Sequence, residues 1–150
     1  MASKAGSPNQ TAQPFELKFH HGALSVPDLE ASIAWWRDVL GFEVERNVTI
    51  DAIPAKMAMV RRGDLRVELF ELPQAAPLPD GRRHPDTDVL THGTKHVAFA
   101  VKDVRAVAEE LKSRGVDIVM IADLPFTTVA FIRDNAGNLL ELYQQPDMWS

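Results

Sequence analysis

The chain has 150 residues, of which 45% are hydrophobic and 25% charged, the make-up of one soluble globular domain with a real core. Lys and Arg number 16 against 21 Asp and Glu, and the resulting net charge of −5 argues against a nucleic-acid or anionic-membrane surface. Cysteine is absent, which excludes disulfides, thiolate metal sites and cysteine nucleophiles, so any metal site must be built from His, Asp and Glu.

Residues 1–14 are small and polar, end at Pro14, and read as a disordered arm. They lack the apolar stretch of a signal peptide, and no run reaches the roughly 18 apolar residues of a membrane span. A cytoplasmic protein is the expectation. From Phe15 to Val26 the pattern alternates as a strand does, with His20 and His21 facing opposite ways. Asp28 is a helix N-cap, Leu29, Ile33, Trp36, Val39 and Leu40 share one helix face, and Gly41 is the stop. Strands follow over 42–49, 55–62 and 65–72, the last two joined by a tight turn at Arg62-Gly63-Asp64.

Residues 74–93 break this rhythm. Their prolines and glycines predict a connection without a long helix or a central strand, a linker or a lid. Beyond it the first pattern recurs. A strand spans 95–101, Asp103 caps a helix with Val104, Val107, Ala108 and Leu111 on one face, and Gly115 ends it. Strands then span 116–121, 127–133 and 138–144. His21-Gly-Ala-Leu-Ser-Val-Pro-Asp-Leu matches His96-Val-Ala-Phe-Ala-Val-Lys-Asp-Val at an offset of 75, and Val67-Glu-Leu matches Leu140-Glu-Leu at 73. Two near-equal offsets identify an internal repeat with modules at 15–73 and 94–150.

The repeat aligns His21 with His96 and Glu68 with Glu141. Each His opens the first strand of its module and each Glu lies in the last, so a curved sheet can turn both toward one side. Two imidazoles and two carboxylates form a donor set suited to a divalent first-row metal. Glu71, three residues after Glu68, points to the opposite face. Weaker candidates have plainer readings: core filling for Trp35, Trp36, Met57 and Met59, a solvated strand end for Arg61 and Arg62, and exposure for His84 and His92. Lys95 precedes a candidate ligand and should point away from it.

These motifs, with Trp35-Trp-Arg-Asp-Val-Leu-Gly-Phe and Asp134-Asn-Ala-Gly-Asn-Leu-Leu-Glu, resemble the vicinal oxygen chelate superfamily, the glyoxalase/bleomycin resistance/dioxygenase group, over residues 17–146. The resemblance implies an α+β fold of two βαβββ modules forming a partly open, eight-stranded, barrel-like sheet around a metal. It places one divalent ion (Zn, Ni, Co, Mn or Fe) on His21, Glu68, His96 and Glu141. The four-donor set is similar to the glyoxalase I and methylmalonyl-CoA epimerase branches. It implies an isomerase, epimerase or lyase acting on a small oxygenated metabolite through a metal-stabilised enolate, with Glu141 as base and Glu68 as alternative or partner. Ala23-Leu-Ser-Val26 lacks the Arg by which glyoxalase I members hold glutathione. An iron-dependent extradiol-type dioxygenase and a metal-free small-molecule binder are the alternatives. A homodimer is implied, with no nucleic-acid or membrane partner.

Overall fold

The computed structural model describes residues 14–149, so all of the proposed arm but Pro14 lies outside the described residues. Each module contributes one strand, one helix and three strands. The first has β1 (Gly22–Ser25), α1 (Leu29–Leu40), β2 (Glu43–Ile50), β3 (Ala55–Arg62) and β4 (Leu65–Glu71). After a short helix α2 (Pro85–Asp88), the second has β5 (Val97–Val101), α3 (Val104–Ser113), β6 (Asp117–Asp123), β7 (Thr128–Arg133) and β8 (Leu139–Gln144). The strands form two four-stranded mixed sheets, ordered β1-β4-β3-β2 and β5-β8-β7-β6. In both, the first strand runs parallel to the last and the other pairs are antiparallel. Among the described residues no ladder joins the two sheets, and their eight strands do not close into a barrel.

The two main helices start in the same way. Asp28 accepts a hydrogen bond from the Ala31 amide and Asp103 one from Ala106, both at 3.0 Å. The first-turn amide beneath each cap, which has no partner within its helix, finds one on the last strand: Leu29 N donates to Glu71 Oε1 at 2.9 Å, and Val104 N to Gln144 Oε1 at 3.0 Å. Glu71 thus serves the helix side of its sheet, as alternation from Glu68 predicts. Gly41 closes α1 at φ +73°, a left-handed conformation that favours glycine.

Strand alternation separates core from site. Ala58, Val60, Val67 and Leu69 of one sheet and Ala130, Ile132, Leu140 and Leu142 of the other turn inward to a single cluster with Leu29, Trp36 and Leu111. Each fully buried Leu, Ile or Val side chain contributes about 1.5–3 kcal/mol. Trp36 is fully buried, as its place on the apolar helix face predicts, and meets Phe42 and Phe99 edge-on at 5.0 and 6.2 Å. Two hydrogen bonds also cross between modules: Ser32 Oγ donates to Asn135 Oδ1 at 3.1 Å, and Arg114 to the Val39 carbonyl at 2.9 Å. At the seam β1 meets β5 so closely that a Cβ on Gly22 would lie 2.8 Å from Val97 Cγ2.

The connection between the modules is built around a buried carboxylate. Asp88 is 1% exposed and accepts hydrogen bonds from Arg82 Nε at 3.0 Å and Lys95 Nζ at 3.3 Å. Lys95 also donates to the Asp88 and Thr91 carbonyls, which turns it away from the site as predicted. Pro85 begins α2, and His84 caps it by accepting from the Asp86 amide at 3.2 Å.

Candidate functional site

The four repeated donors occupy equivalent positions. Ala23 pairs with Glu68 and Ala98 with Glu141 across the parallel ladders. His21 and His96 each lie just ahead of their strand, two residues before that alanine, and reach the carboxylate of their own module. His21 Nε2 lies 3.8 Å from Glu68 Oε1, and His96 Nε2 lies 2.8 Å from Glu141 Oε2. His96 also stands edge-on to Phe131, with ring centroids 5.0 Å apart. Among the described residues neither carboxylate is paired with Lys or Arg, which leaves both available to a ligand.

The donor types fit a divalent metal, since unprotonated imidazole and ionised carboxylate are its ordinary ligands. The described geometry brings them together two by two. Among the described residues no group of three or more His, Asp or Glu is gathered to hold an ion. The two pairs flank the seam, because His21 and His96 immediately precede the contacting residues Gly22 and Val97.

A cavity of about 360 Å³ opens over the first sheet, lined by Glu68, Met57, Met59, Arg46, Val48 and their neighbours. Two expectations change here. His20 lines this cavity beside Glu68, and its Nδ1 is 2.7 Å from His21 Nδ1. It does not face away from His21, because β1 begins at Gly22 and strand alternation does not extend back to the two histidines. Met57 and Met59 line the cavity and do not fill the core; they pair with Phe70 and Glu68 on the site face of the sheet. Arg61 and Arg62 are exposed at the end of β3, as expected of a solvated strand end; Arg61 lies 3.6 Å from Glu45 and donates to the Gly63 carbonyl, and Arg62 donates to the Leu40 carbonyl.

Arg46 was not singled out by the sequence, and a bulge explains why. The β2–β3 register shifts between Val44 and Arg46, so two consecutive residues, Glu45 and Arg46, both line the cavity. The second sheet has its bulge at the equivalent place, between Ile118 and Met120. Glu45 is bound by Arg66 through two hydrogen bonds of 2.9 and 3.2 Å. That guanidinium holds the Glu45 carboxyl below its ordinary range and keeps it ionised.

Residues 18–142 match the Glyoxalase/Bleomycin resistance protein/Dioxygenase superfamily. The chain is 32% identical over 129 residues to the uncharacterized protein YaeR of Escherichia coli, covering 84% of this chain and 95% of that one. It is 32% identical over 116 residues to the 2-epi-5-epi-valiolone epimerase of an Actinomyces species (67% of this chain, 61% of the relative). To mouse mitochondrial methylmalonyl-CoA epimerase it is 30% identical over 101 residues (65% of this chain), and the match spans about half, 53%, of that protein. Among solved structures, a glyoxalase family protein from Enterococcus faecalis superposes with a TM-score of 0.72 at 24% identity, covering 85% of this chain and 97% of that one. Repeat, sheet order and sequence agree, and the chain belongs to the glyoxalase/bleomycin resistance/dioxygenase superfamily.

Proposed function

We propose that the protein is a metal-dependent isomerase, epimerase or lyase that moves a proton at a carbon beside a carbonyl of a small oxygenated metabolite. The observation that carries this reading is one His–Glu pair repeated at the same register in both modules, with both carboxylates free of Lys and Arg among the described residues. Two epimerases among the relatives support it. His21, Glu68, His96 and Glu141 are the residues that would hold the ion. A divalent metal there supplies a Lewis acid that polarises a substrate carbonyl and acidifies the neighbouring C–H.

The chain's own groups then divide the work. Glu68 is the carboxylate that lines the cavity, and its 3.8 Å separation from His21 leaves it the freer of the two to take a proton from bound substrate. Glu141 sits within hydrogen-bond distance of His96, at 2.8 Å, and is the partner that returns a proton from the other side. Removal from one face and return from the other inverts the carbon; return at the neighbouring atom isomerises it. The test is proton exchange in deuterated water with candidate hydroxyketones and acyl thioesters, with and without air. Deuterium should enter the carbon beside the carbonyl without oxygen, and Glu68→Gln and Glu141→Gln should each slow entry by about 100-fold or more. Oxygen uptake with ring opening and no deuterium entry would overturn this reading in favour of a dioxygenase.

The separation of the donors into two pairs favours a second reading, a metal-free binder of small molecules. Metal analysis decides between them: the catalytic reading expects one divalent ion per chain, lost in His21→Ala and His96→Ala.

A further inference from the structure

The residue row that crosses the first sheet through Glu68 differs from its repeat in one respect. It runs Arg46, Met59, Glu68, Ala23. The matching row of the second sheet runs Met120, Phe131, Glu141, Ala98. Backbone, bulge and carboxylate are repeated; the guanidinium is not. Arg46 lines the cavity with Glu68, and its side chain makes no hydrogen bond or ion pair among the described residues. The acidic neighbour that could neutralise it, Glu45, is already taken by Arg66 and Arg61. An uncommitted guanidinium therefore stands two strands from the site carboxylate on the same face, about 10 Å away along the sheet.

We infer that Arg46 is an anion-binding, specificity-determining residue, and that the substrate is a short keto acid with its carboxylate on Arg46 and its carbonyl end at Glu68. This deepens the proposed function and rests on it for the role of Glu68. A guanidinium presents two parallel N–H donors that match a carboxylate. Met57 and Met59, between the two ends, offer an adaptable apolar floor for a few methylene groups. The volume of about 360 Å³ suits a small metabolite. The apolar counterpart at Met120 leaves the second module without this anion site.

Binding of levulinate, its homologues with one and two more methylene groups, and the primary amide of each is measured by titration calorimetry on the full chain. The acids should bind about tenfold or more tightly than their amides. Arg46→Gln should remove that preference by weakening the acids alone, and Arg46→Lys should restore part of it. Arg105→Gln, which loses only an exposed pair with Asp123, should change nothing. Equal binding of acids and amides, equal weakening of both by Arg46→Gln, or no saturable binding of any probe would overturn the inference. Thermal unfolding of each variant checks that the fold is intact. Because binding needs no turnover, failure of deuterium exchange with an intact Arg46-dependent preference would sink the catalytic reading and leave this one standing.

Discussion

Two buried aspartates show how single residues set the response to pH, with opposite signs. For Asp88, burial would raise the carboxyl pKa, but the hydrogen bond from Arg82, that from Lys95 and their charges outweigh it and hold the group below its ordinary range. Its stabilising effect is fully present above the unfolded value of about 4 and is lost as pH falls through the lower folded value. Asp88→Asn should therefore cost about 2 kcal/mol at neutral pH. The gap in melting temperature between variant and wild type should close as pH drops below the ordinary carboxylate range; a gap that stays constant would contradict the charge argument. Asp134 is the reverse case. Burial raises it despite hydrogen bonds from Asn138, Ala136 and Gly137, so its cost appears as pH rises through the raised folded value. Melting of Asp134→Asn should accordingly lack the decline that wild type shows there.

At the scale of elements, the repeat extends to helix initiation. Glu71 and Gln144 are 73 residues apart and accept the same hydrogen bond from the first amide of their own module's helix, one with a charged oxygen and one with a neutral one. Glu71→Ala should cost about 1–2 kcal/mol and Gln144→Ala about 1 kcal/mol, read from denaturant midpoints. An equal loss at both would show that the charge of Glu71, shared with Lys56 at 3.4 Å, adds nothing at the helix N-terminus. This part of the fold was legible in the chain: Asp28, Asp103 and Gly41 mark helix ends by their own chemistry, and the offsets of 73 and 75 align the modules. What escaped were places where period-two alternation breaks down. His20 precedes its strand, and Arg46 follows a bulge that nothing in Glu43-Val-Glu-Arg-Asn announces. The four donors are visible as residues, but whether they converge depends on how two sheets meet, which no local pattern encodes. The short helix α2 was readable in principle, since Pro85 stands at its first turn with Asp86 and Asp88.

For the whole molecule, the meeting of the sheets is the property that joins stability to function. Core residues of both modules form one cluster, with Trp36 of the first against Phe99 of the second, so neither sheet can be unpacked without exposing the other. Unfolding should be a single transition, with Trp fluorescence and backbone dichroism coincident. The seam itself can be tested by a double-mutant cycle. Gly22→Ala places a methyl 2.8 Å from Val97 Cγ2, and the β-branched Val97 has little rotamer freedom with which to retreat. That variant should lose about 1–3 kcal/mol from overpacking. Val97→Ala leaves a small gap and should cost about 1 kcal/mol, while the pair should cost less than the two losses added, with a coupling of about 1 kcal/mol or more. The neighbours of these residues are His21 and His96, so the strain of Gly22→Ala falls on the two half-sites at once. Metal affinity should drop in Gly22→Ala and recover in the double variant. If affinity stays unchanged while stability falls, the half-sites do not act together across this seam, and the proposal that one ion is held by both modules loses its structural basis.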